Sequence, residues 1–181
     1  MTTGNYTLKV TVIDYAGITQ FLKDVLITIE KLVAEHPVAI YHKPPAQKGK
    51  PARCLYTAGS VLEPGADGVN REIFCGCIIG VALLRVDPDL ADVLAANDDG
   101  MHNAASEVIN ACVQKKFGVN LTADNTDRSK IGLSVWKFAE LVDAIQSEQD
   151  TGETWIQALT VGRRDLGYQP HGRSLVEMVG G

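Results

Sequence analysis

Aromatic side chains are scarce in this sequence, at 6% of residues, so any core must be built from valine, isoleucine, leucine and alanine. A cationic excess is missing too. The formal charge of −5 argues against a dedicated nucleic-acid binder, which would carry a basic field over its contact face. No apolar run reaches the roughly 20 residues of a membrane span; the longest, residues 74–86, has 13. Residues 1–7 show no cationic stretch followed by an apolar one, so no secretory signal is predicted. Without one, the four cysteines are expected as free thiols in a reducing compartment. The sequence therefore predicts a cytoplasmic protein with no membrane partner.

The chemical motifs that are easiest to recognise are also missing. No two cysteines have the Cys-x₂₋₄-Cys spacing of zinc ligands. Gly65 and Gly68 frame a short turn, but no Gly-Lys-Ser/Thr follows them and the dinucleotide fingerprint is absent. No cofactor and no metal are predicted.

What is present is ordinary for a globular chain: 181 residues, 45% hydrophobic and 22% charged, enough for one domain with its own core. Residues 1–162 are expected as that domain, 43–52 as a mobile basic loop and 163–181 as a weakly held C-terminal tail. Residues 6–13 alternate with period two and predict a strand. From Ile18 the period changes. Ile18, Phe21, Leu22, Val25, Ile29, Leu32 and Val33 mark one face of a helix that should stop at His36, before Pro37. Residues 38–41 and 53–62 are further strand candidates, and Asn70 a candidate cap for a central helix over 74–86. Asp87, Pro88 and Asp89 spell a helix start. Ala105, Val108, Ile109 and Cys112 mark another helix, closed by Gly118. Residues 119–130 are polar and turn-like. Val135, Phe138, Ala139, Val142 and Ile145 mark a helix capped by Ser134 and ended at Gly152, and Trp155 opens a last short one. The expected fold is α+β: a predominantly helical single domain with a small sheet packed on the buried central helix.

Three stretches taken in order carry a resemblance: Cys54-Leu55-Tyr56, Cys77-Ile78-Ile79-Gly80-Val81-Ala82-Leu83, and Gln146 to Trp155 with Gln149, Asp150 and Gly152. Together they resemble a group of small actinobacterial and actinobacteriophage proteins of unassigned activity, over roughly residues 18–160. This chain adds Cys75, a longer connection between Tyr56 and Cys77, and an extended tail. The resemblance implies an intracellular, phage-type accessory protein and brings no catalytic residue with it.

The candidate sites each have a structural alternative. In a helix, Cys75 and Cys77 would lie about 200° apart, so they could not chelate one metal, and buried thiols are the simpler role. A thiol in a helix's first turn is also an activated nucleophile, and His102, oriented by Asp98, Asp99 or Asn103, is a candidate base for Cys75 or Cys77. Gly76 and Gly80 point to close packing. Lys43, Lys48, Lys50 and Arg53, with His42, form the one cationic cluster: a solvated loop, or a contact for an acidic partner. Trp155 reads as packing over the turn at Asp150 and Gly152, or as a contact platform, and Trp136 as core. The expectation is a binding or regulatory protein that acts through a protein interface, with nucleic acid disfavoured and self-association left open. The alternative is a hydrolase or transferase using Cys75 or Cys77 with His102.

Overall fold

The structure, a computed structural model, describes residues 12–41, 55–57, 60–64, 70–74, 76–98, 104–124, 126–167 and 173–180, with only the backbone described for 60–64 and 70–74. Two long amphipathic helices form its frame, α1 (Tyr15–Glu35) and α5 (Val135–Asp150). Each starts on a side-chain cap. Asp14 accepts a hydrogen bond from the Gly17 amide, and Ser134 accepts one from the Lys137 amide. From there the two helices run in parallel terms: residues 18–30 and 138–150 show the same order of buried, half-buried and exposed positions. α1 ends where Pro37 forbids continuation, with the His36 amide closing on the Leu32 carbonyl at 2.9 Å.

The remaining helices pack on this frame. α2 (Ile78–Val86) lies against α1, and α6 (Trp155–Asp165) lies against α5. α6 approaches closely because Gly162 has no side chain: a Cβ there would meet Ile145 Cγ1 at 2.9 Å and Leu141 Cδ1 at 3.1 Å. Asp87 caps the 3₁₀ turn Pro88–Leu90, which runs into α3 (Ala91–Asp98). α3 packs on α4 (Ala105–Phe117), tied by the ion pair Lys115–Asp92 at 2.7 Å, while Lys116 of α4 pairs with the cap residue Asp87. No side chain at α4's own N-cap serves it; instead Asp143 of α5 accepts from the Ser106 amide and hydroxyl, both at 2.8 Å. α4 stops at Gly118 in the left-handed conformation, φ 69°.

The α+β expectation is overturned. Among the described residues the buried apolar side chains belong to helices and the segments joining them, so the fold is all-helical. The only sheet there is an antiparallel hairpin of β1 (Ser60–Pro64) and β2 (Asn70–Phe74), paired from Ser60↔Phe74 to Pro64↔Asn70. Asn70 therefore opens a strand instead of capping a helix. The strand expected over 53–62 fails at Leu55–Thr57 because its backbone groups are engaged elsewhere. The Leu55 amide donates to the Tyr41 hydroxyl, the Leu55 carbonyl accepts from the Cys77 amide, and the Tyr56 and Thr57 amides donate to Asp98. The segment expected over 38–41 forms a single bridge, Ile40↔Thr154, while the Pro37 and Ala39 carbonyls accept from the first amides of α6. The strand expected over 6–13 lies outside the described residues except for its end.

The stretch expected as a weak tail holds a docked helix, α7 (Leu175–Val179). It buries Leu175, Met178 and Val179 against the frame, starts on a Ser174–Glu177 capping box, and receives the Ser134 amide on the Val179 carbonyl at 2.7 Å. Among the described residues no helix is long and apolar enough to cross a membrane.

Candidate functional site

The helix expected over 74–86 begins only at Ile78, which moves the cysteine chemistry. Phe74 ends β2, and Cys77 is not in the helix but caps it, its Sγ accepting from the Gly80 amide at 3.4 Å. The facing argument for two helical thiols therefore does not apply, and Cys75 lies outside the described residues. Around Cys77 four pieces of chain converge. Its amide donates to the Leu55 carbonyl at 3.0 Å. Gly80 lets α2 sit directly on that segment, since a Cβ there would stand 2.2 Å from the Tyr56 carbonyl oxygen. Asp98, at the end of α3, accepts from the Tyr56 amide at 2.5 Å, the Thr57 amide at 3.3 Å and the Thr57 hydroxyl. Gln149 of α5 accepts from the Ile78 amide at 2.9 Å and donates to the Ile145 carbonyl at 3.2 Å. Residues far apart in sequence, at Tyr56, Cys77–Gly80 and Gln149, thus meet in space.

This junction is closed. Cys77 is 0% exposed, and a nucleophile has to reach its substrate. Cys112 is equally buried in α4, and burial, helped by the nearby charges of Asp87 and Asp92, pushes its thiol up to about 12. A thiol held protonated is inert. His102, His42 and Cys54 lie outside the described residues, as do Lys43, Lys48, Lys50 and Arg53. Asp98, a candidate to orient His102, is engaged with Tyr56 and Thr57 instead. Among the described residues no three His, Cys, Asp or Glu side chains come together to hold a metal ion.

Trp155 keeps its expected packing role and Trp136 does not. Trp155 is fully buried at the start of α6, with the His36 ring edge-on at 6.3 Å between centroids, so it packs and presents no contact surface. Gly152 turns the chain ahead of it with φ 95°. Trp136, expected in the core, is 67% exposed. It sits two residues before Phe138, about 200° around the helix from a side chain that points inward, so the apolar face at 138, 141, 142 and 145 itself turns position 136 outward.

Three of the exposed apolar side chains stand at another place. The Pro37 carbonyl accepts from the Ile156 amide at 3.2 Å and the Ala39 carbonyl from the Trp155 amide at 2.9 Å. Together with the Ile40↔Thr154 bridge these bonds seat Val38 and Ile40 beside the outer face of α6. Val38 is 78% exposed, Ile40 42% and Ile156 47%. Next to them lies a shallow groove of 310 Å³ lined by Glu148, Glu153, Ile156, Gln157, Thr160 and Val161. The signal for this edge was in the sequence: Trp155, Ala158, Leu159 and Gly162 are the inward face of α6, and Ile156 and Thr160 fall off it.

The chain matches no protein-family model, no curated protein and no solved structure.

Proposed function

We propose that this is a small binding or regulatory accessory protein of phage type, working in the interior of the cell through an interface with a protein partner rather than by catalysis. The observation that carries the reading is the apolar edge formed by Val38, Ile40 and Ile156. Three aliphatic side chains stand in solvent at the junction of two segments whose backbones are tied together by hydrogen bonds. Apolar groups left uncovered beside one another on a fixed backbone are what a partner covers. The thiol alternative has the opposite support: of the named nucleophiles, the described one, Cys77, is enclosed.

The test is recovery of a stoichiometric partner from native host extract by the tagged full chain, compared with Ile40→Asp and Ile156→Asp. Each variant should keep the melting midpoint of the wild type, since both side chains are exposed, and should lose the partner. No partner with the wild type, or a partner kept by both variants, would sink the proposal.

A further inference from the structure

The groove beside Ile156 carries charge as well as apolar surface. Ile156 and Val161 line it together with Glu148 and Glu153, which stand side by side at the turn between α5 and α6, the Glu153 amide donating to the Glu148 carbonyl at 3.2 Å. Two of the groove's other polar atoms are engaged within the protein: the Thr160 hydroxyl donates to the Ile156 carbonyl at 2.7 Å, and Gln157 Oε1 accepts from the Thr154 amide at 3.0 Å. Neither carboxylate has an ion-pair partner among the described residues. An aliphatic lining beside two unmatched anions fits an aliphatic side chain with cations next to it.

The shape and the charge narrow the occupant. The groove is shallow and open to solvent, which suits a segment of a larger partner better than an enclosed small molecule. A second copy of the chain is disfavoured. A two-fold contact would bring these carboxylates toward their own mates, on a chain of formal charge −5, where like charges facing each other oppose association.

Resting on the interface reading above, we infer that this groove binds a short segment of a partner protein in which aliphatic side chains are flanked by arginine or lysine. Electrostatic attraction then sets the rate and the choice of partner, and burial of Ile156 with the neighbouring Val38 and Ile40 supplies the contact area.

Three fluorescein-labelled peptides with one shared leucine–valine centre, flanked by arginine, by glutamine or by glutamate, are titrated with the full chain by anisotropy. The arginine peptide should bind tightest and weaken as salt is raised, and the glutamate peptide should fail to bind. Glu148→Gln with Glu153→Gln should weaken the arginine peptide by about threefold to tenfold without moving the melting midpoint. Equal binding of all three peptides, or an unchanged affinity in the double variant, would overturn the inference. So would tighter binding after Lys43, Lys48 and Lys50 are changed to serine, which would assign the groove to the chain's own cations. In host extract, a partner lost by Ile156→Asp but kept by the double glutamine variant would leave the interface standing and remove the basic segment. A partner kept by both would remove the interface.

Discussion

Gln146 and Gln149 occupy the positions of α5 that Leu26 and Ile29 occupy in α1, within the same burial pattern. The environment has matched only one of the two. Gln149 bonds through both ends of its amide, capping α2 through the Ile78 amide, whereas Gln146 is 7% exposed and its Oε1 has no hydrogen-bond partner among the described residues. Replacement by leucine should therefore have opposite signs at the two sites. Gln149→Leu strands the Ile78 amide and should destabilise by about 1–3 kcal/mol. Gln146→Leu removes an unmatched buried oxygen and should be neutral or stabilising by up to about 1 kcal/mol. Urea unfolding with an unchanged m value reads both; the same sign at the two positions would refute the distinction. The thiols give a second residue-scale outcome. In a Cys54→Ser/Cys75→Ser variant, maleimide at neutral pH should label nothing in the native protein and two thiols in denaturant, because Cys77 and Cys112 are buried. Native labelling would show that Cys77 opens to solvent. That Gly80 needed a compensating contact was legible from its place in an apolar helix. That the contact is the Tyr56 carbonyl was not, because the approach joins segments far apart in sequence.

Helix ends decide most of the departures at the scale of elements. Periodicity located α1, α4 and α5 well, since each repeats its apolar face over three or more turns. It misplaced the start of α2, because an apolar run is equally compatible with a strand end, a cap and a helix. The docking of α7 was hidden for a related reason: five residues are too few to show a period, and so short a helix is held by what it packs on. Its anchor is specific. Glu30 of α1 accepts from the Leu175 amide at 2.7 Å and from Arg163 of α6 at 2.9 Å. Leu175→Ala should cost about 2–4 kcal/mol through the cavity it leaves, and Glu30→Ala about 1–3 kcal/mol through the partners it strands. Thermal and urea unfolding measure both. A loss under about 0.5 kcal/mol for Leu175→Ala would mean that α7 is not part of the folded core.

Across the whole molecule, the ion pairs that join α4 to α3 and to the cap of the turn before it make stability depend on acid. Lys116 holds the Asp87 carboxyl below its ordinary value of 3.8, despite an opposing effect of burial, and Lys115 does the same for Asp92. A carboxylate with a lowered folded pKa contributes in full above the unfolded value and loses that contribution as pH falls through the folded one. Asp87→Asn keeps a capping oxygen for Asp89 but loses the charge. The gap in melting midpoint between wild type and this variant should be widest near about pH 7 and close in acid below the lowered pKa. A gap of constant width from neutrality to about pH 2 would show that the charge is not its cause. The sequence by itself determined the aliphatic core and the long amphipathic helices, because a 3.6-residue period, a cap and a breaker are local properties. Only the tertiary structure decided that Leu55–Thr57 gives its backbone to Asp98, Tyr41 and Cys77 instead of to a sheet, that Trp155 is enclosed while Trp136 faces water, and that Ile156 borders an acidic groove. Those outcomes depend on which partners arrive from distant parts of the chain, and no local pattern carries that information.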